Sequence, residues 1–148
     1  MLGTYSFVDV SATFTGPGIS IPLGDGAGVA EEGITIEQVD NVGRMVIGAD
    51  GQAMQVLQAT KGAHITVRLL KTSPTNFALM QAASSQRTSG ATWGQNTMSI
   101  TELVTGDEIS LAQVAFDKIP KIDYDKGGKT IDWTFLAGTS DFLLGANV

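Results

Sequence analysis

The chain has 148 residues, 43% of them hydrophobic and 16% charged, with a net charge of −6 and no cysteine. That is apolar material for one core, read as a single domain over 1–148, and the absent cysteines exclude disulfide staples and thiolate metal sites. No apolar run reaches membrane-spanning length and no basic segment leads into an apolar N-terminal run, so a soluble domain without a signal peptide is expected.

From Thr4 to Phe14 apolar and polar residues alternate, with Val8, Val10, Ala12 and Phe14 on one face of a half-buried strand. Gly16-Pro17-Gly18 ends it. The piece Ile19 to Leu23 alternates too, but Pro22 lacks an N–H for a ladder and restricts it to an edge or a loop. Four glycines between Gly24 and Gly33 mark a mobile glycine-rich loop at 16–33. Gly33 to Val39 reads as a strand with Ile34 and Ile36 inward, turning at 40–43 into a partner strand from Arg44 to Ile47. Asp50-Gly51 is a turn before a short strand near Ala53 to Leu57, and Ala63 to Leu70 is the clearest strand, with Ala63, Ile65, Val67 and Leu69 on one side.

At Ser73-Pro74 the period changes. Ser73 can cap the first free amides of a helix, and Pro74 suits its first position because its missing N–H is not needed there. Phe77, Leu79, Met80 and Ala83 then form an apolar stripe ending near Gln86; Phe77, Leu79 and Met80 are expected to pack this helix on a sheet. Strands resume over Met98 to Val104 and Glu108 to Lys118 as one hairpin. Lys121 to Tyr124 with Thr130 to Ala137 form another, tipped by Lys126-Gly127-Gly128-Lys129, and residues 138–148 read as a weakly patterned tail. The expected class is mainly antiparallel β with one α-helix.

No motif carries catalysis. Gly128-Lys129-Thr130 ends like a phosphate loop, but Asp123 stands where the first glycine belongs and a strand follows instead of a helix. Gly24, Gly26 and Gly28 lack the strand and helix of a dinucleotide fingerprint. Asp123, Asp125 and Gly128 match part of a calcium loop, with Thr134 in place of its bidentate Glu. His64 is the single histidine, on the polar side of its strand beside Arg68, without the spacing of a triad or a two-histidine metal site. Trp93 and Trp133 read as core or subunit contacts. Short strands with little charge describe a module that presents surfaces and whose strand edges need covering or joining.

Several separated blocks resemble a known family: Gly3-Thr4-Tyr5-Ser6-Phe7 with Asp9-Val10, Ala30-Glu31-Glu32-Gly33-Ile34-Thr35, Ile47-Gly48-Ala49-Asp50-Gly51, Val67 through Pro74, and Trp93-Gly94-Gln95-Asn96-Thr97. Together they resemble the tail tube proteins of contractile-tailed bacteriophages. The resemblance implies an antiparallel β-sandwich or split barrel with one flanking α-helix, in hexameric rings stacked as a hollow conduit for double-stranded DNA. It implies no enzyme activity and no cofactor or metal. Its partners would be further copies of itself, the tail sheath, the baseplate or tail terminator and the tape-measure protein, in a virion tail assembled in the host cytoplasm, with DNA passing without specific binding. The other readings are a tube component of a contractile secretion system, which shares the architecture, and a carbohydrate-binding β-sandwich.

The first 43 residues contain six acids and no base, whereas the remainder balances nine against nine. A channel for a polyanion needs a wall without phosphate anchors. Asp9, Glu31, Glu32, Glu37 and Asp40 are therefore the candidate channel-facing residues, with Glu37 foremost because Ile34 and Ile36 occupy the other face of its strand.

Overall fold

The computed structural model describes residues 3–145, and of residues 30–32 only the backbone. The described residues form nine strands, most of them with apolar and polar side chains alternating: β1 (Val10–Gly16), β2 (Ile19–Pro22), β3 (Val29–Gln38), β4 (Gly43–Ile47), β5 (Ala53–Leu57), β6 (Ala63–Leu70), β7 (Asn96–Glu102), β8 (Asp107–Lys118) and β9 (Thr130–Leu143). One helix, α1 (Thr75–Gln86), follows β6. Seven strands make an all-antiparallel sheet in the order β2-β1-β7-β8-β9-β6-β3, and β4 with β5 make a separate hairpin. The architecture is mainly β with one flanking helix.

The sheet turns a corner at Gln113 and Gly138. Gln113 has φ of 54°, the left-handed region, and a Cβ on Gly138 would lie 2.5 Å from the Gln113 Oε1. A β-bulge opposes two residues of β8 to Thr97 of β7 here, so the inward side of β8 passes from Leu111 to Val114. The sheet thereby folds over one core. Phe14, Phe116, Phe135 and Trp133 pack ring against ring at its centre, with centroids 5.1–6.0 Å apart. Ile65, Val67 and Leu69 of β6 are wholly buried against them.

Helix α1 is set by polar clamps as well as apolar packing. The Ser73 Oγ accepts from the Thr75 amide at 3.2 Å, capping the first turn, and donates to the Ala27 carbonyl at 2.5 Å. The Asn76 amide nitrogen donates to the Leu70 and Ser73 carbonyls, while its Oδ1 accepts from the Trp133 indole at 2.9 Å. Thr75, Leu79, Ala82, Ala83 and Gln86 form the buried stripe, with Met80 beside it.

Four expectations are corrected. Phe77 stands 68% exposed, because it falls outside the stripe through positions 75, 79, 82 and 86 and does not pack α1 on the sheet. The segment 16–33 is not a free loop: β2 lies on the sheet edge, where Pro22 is tolerated, and Leu23 and Ala27 are buried. β3 pairs with β6, and β4 with β5, so 40–43 is a connection and no hairpin turn. No strand forms over Lys121 to Tyr124; β9 is flanked on both sides by β8 and β6 and continues to Leu143.

Candidate functional site

The chemistry-bearing residues do not converge. Among the described residues no group of three or more His, Asp or Glu side chains is placed to hold a metal. His64 Nε2 lies 3.6 Å from Asp117 Oδ2 on the outer side of the sheet, and the same carboxylate oxygen accepts from the Thr134 hydroxyl at 3.5 Å. Asp123 and Asp125 face Lys121 and Lys129 as exposed ion pairs. Trp133 is buried, and Trp93 lies at the core's rim, its ring 6.3 Å from that of Phe116. What the fold offers is surfaces.

The first surface is the outward face of β1, β7, the start of β8 and the end of β9. Cross-strand register sets Thr13 beside Ser99, Ser99 beside Ser110, and Ser110 beside Asp141. Thr15 stands next to Thr97, and Thr101 next to Glu108. These strands carry hydroxyls outward because their inward positions, Ala12, Phe14, Met98, Ile100 and Leu111, fill the core. A shallow concavity of about 270 Å³ runs over this face. The outward positions named here are hydroxyls and acids with no Lys or Arg among them; Lys61, from the connection before β6, reaches Asp141 at 3.9 Å.

The other half of the outward surface, on β6, β3 and the start of β9, is mixed. It carries Arg68, whose guanidinium donates to the Thr35 hydroxyl at 2.8 Å, together with His64 and Asp132. Glu37 lies here, opposite His64 in the ladder. Asp9 ends a 3-10 turn at Phe7–Asp9 ahead of β1, and Asp40 lies in the exposed connection between β3 and β4. Asp9 lies in the turn ahead of β1 and Glu37 in the β3–β6 ladder, two strands that do not pair with each other. The side chains of Glu31 and Glu32 lie outside the described residues.

The second surface is the β4–β5 hairpin, exposed along both faces: Met45, Val46, Ile47, Met54 and Leu57 all meet solvent. A two-stranded hairpin is at best marginal alone in water, and exposed apolar side chains at this density mark a contact surface. Sequence alternation placed these strands. It did not show that their apolar residues lack a core to enter.

Comparison with solved structures finds the same fold. A chain of the structure of an extracellular contractile injection system, PVC sheath/tube terminator in extended state, aligns with a TM-score of 0.60 at 8% identity, covering 95% of this chain and 97% of that one. A chain of the six-fold symmetrised baseplate of the anti-feeding prophage aligns with a TM-score of 0.59 at 11% identity, over 99% of both. The PVC sheath–tube complex gives 0.51 at 12% identity, over 90% and 88%. No curated protein matches the sequence significantly. The sequence itself matches the protein family described as bacteriophage PhiTE tail tube protein, over residues 2–145. Matched over nearly its whole length, the chain belongs to the bacteriophage PhiTE tail tube protein family and is a non-catalytic structural tube protein.

Proposed function

We propose that copies of this chain close into hexameric rings that stack as the inner tube of a phage-tail-like contractile injection device, with the hydroxyl face of β1, β7, β8 and β9 as the channel wall. The observation that carries the channel assignment is the composition of that face: Thr13, Thr15, Thr97, Ser99 and Ser110 present hydroxyls, Glu108 and Asp141 add negative charge, and none of its own outward positions named above is basic. Apart from Lys61, which reaches in from outside the face and is paired with Asp141, such a wall gives a polyanion few phosphate anchors, and a ring repeats each residue's chemistry in every subunit. Six copies are supported by the six-fold symmetry of the baseplate that shares the fold. Sheath and baseplate components are the natural neighbours of such a tube, in a virion tail or an injection particle assembled in the host cytoplasm.

The cargo separates two readings. The family's description names a phage tail tube, whose cargo would be double-stranded DNA, whereas the structures that share the fold come from contractile injection systems and favour an injection-system tube. Electron microscopy of the purified protein should show rings and hollow tubes; monomers alone at high concentration would sink the reading. Analysis of the contents of the native particles, for DNA or protein, decides the device. Ser99→Lys should form tubes that retain DNA, while Glu37→Lys, on the other half of the surface, should leave passage unchanged. The reverse result would move the wall to the Glu37 side.

A further inference from the structure

Glu102 is a carboxylate in an apolar place. It continues the inward stripe of β7 after Asn96, Met98 and Ile100, and only 6% of it is exposed. Its Oε2 accepts from the Thr105 amide at 3.0 Å and from the Thr105 hydroxyl. Its Oε1 is buried with no hydrogen-bond partner among the described residues. A buried carboxylate oxygen is stabilised by a donor, and the groove that Glu102 lines leaves room for one carried by a second chain.

The place it would come from is open. Glu102 lines a groove of about 590 Å³ where the sheet fails to close between β1 and β3, walled by Phe7, Val10, Ile34, Ile36 and Ile109, with Asp107 as a second acid. The groove therefore combines apolar walls with two carboxylates, and its occupant must be apolar and carry a cation.

The chain carries a segment of that composition. In the β4–β5 ladder Arg44 pairs with Val56 and Val46 with Met54, so these four side chains share one face: a single guanidinium among three apolar groups. Arg44 is exposed and makes no ion pair among the described residues. We infer that the β4–β5 hairpin of a second copy seats this face in the groove, with its Arg44 guanidinium donating to Glu102 Oε1. The inference rests on the reading of the chain as a self-assembling subunit. One contact then answers two deficits, an unpartnered carboxylate and a hairpin without a core, and planar guanidinium is the donor best matched to a carboxylate.

Two measurements test it on the full chain. Arg44→Glu should raise the concentration for half-assembly, read by sedimentation, roughly thirtyfold or more, with an unchanged melting temperature because Arg44 is exposed; Arg44→Lys should recover part of the loss. Assembly unaltered by Arg44→Glu overturns the contact. The absence of cysteine permits the second measurement. Tyr5 also lines the groove; Val46→Cys and Tyr5→Cys proteins, each singly substituted and mixed before assembly, should give covalent dimers with a short bismaleimide that neither gives alone. Tubes that assemble without that cross-link overturn this contact and leave the tube reading standing. Failure of the parent chain to assemble overturns both. An intramolecular cross-link in monomers of the doubly substituted chain shows the hairpin closing on its own groove and overturns the two-copy contact.

Discussion

Gln86 and Asn96 hold each other through both ends of their carboxamides. Gln86 Nε2 donates to Asn96 Oδ1 at 2.8 Å, and Asn96 Nδ2 donates back to Gln86 Oε1 at 2.7 Å, with a further bond to the Val114 carbonyl at 2.9 Å. Both side chains are buried. The pair fastens the last turn of α1 to the first residue of β7, and Gly16 closes over it: a Cβ there would come within 2.0 Å of Asn96 Oδ1. Polar groups in a core specify one arrangement when each finds a partner.

Asn96→Ala therefore strands both the Gln86 amide and the Val114 carbonyl. Urea denaturation should show a loss of about 1–3 kcal/mol for each orphaned group. In a double-mutant cycle with Gln86→Ala the second substitution should matter much less than the first, because its partner has already gone. Strictly additive losses would show that the two amides act independently.

The helix offers a contrast between two residues of similar hydrophobicity. Leu79 is wholly buried under the sheet, and Phe77 stands on the exposed flank over a groove shared with Ile19 and Ile21. Leu79→Ala should cost about 2–5 kcal/mol in the isolated chain, whereas Phe77→Ala should stay within about 0.5 kcal/mol. Thermal melts of both variants check this; an equal loss at Phe77 would place its ring against the core.

Strands with strict alternation were legible because burial on one face leaves a period of two that nothing else produces: Ala63 to Leu70 shows it at every position. The helix announced itself through Ser73 and Pro74, whose cap chemistry is local. Pairing was not legible in the same way. The partners of β3 and β9 are set by long-range competition for edges, so hairpins inferred from nearby turns at 40–43 and 126–129 did not form. Phe77 misled because positions 77, 79, 80 and 83 also keep a roughly helical spacing, whereas the face that is buried runs through Thr75, Leu79, Ala82 and Gln86, two of them polar. Of the surfaces, the acid-rich first third was visible as composition, but the hydroxyl face was not. Its residues come from four segments, and Ser99, Ser110 and Asp141 meet only through the ladder. Gln113 gave no sign of its left-handed backbone, since that conformation follows from the corner it turns with Gly138.

The glycine-rich stretch leads to the last prediction. Its composition favours mobility, yet the fold ties it down. The Leu23 amide donates to the Ala12 carbonyl at 2.8 Å, the Asp25 amide to the Val10 carbonyl at 3.1 Å, and the Leu70 amide to the Gly28 carbonyl at 2.8 Å. The Ser73 and Thr75 hydroxyls converge on the Ala27 carbonyl, and Gly24 lies so close to β1 that a Cβ would meet the Val10 carbonyl oxygen at 2.6 Å. By contrast, among the described residues the β4–β5 hairpin has backbone bonds only to itself and its close flanks, with no buried side chain. Proteolysis selects segments that open at low free energy. A protease of broad specificity should therefore make its first cuts in the unassembled chain within residues 43–57 and spare 19–28. Peptide mapping by mass spectrometry over time reads the order. Early cuts between Ile19 and Gly28 would mean that these backbone ties do not hold in solution, and assembly that fails to slow cleavage at 43–57 would mean that the hairpin remains uncovered in the tube.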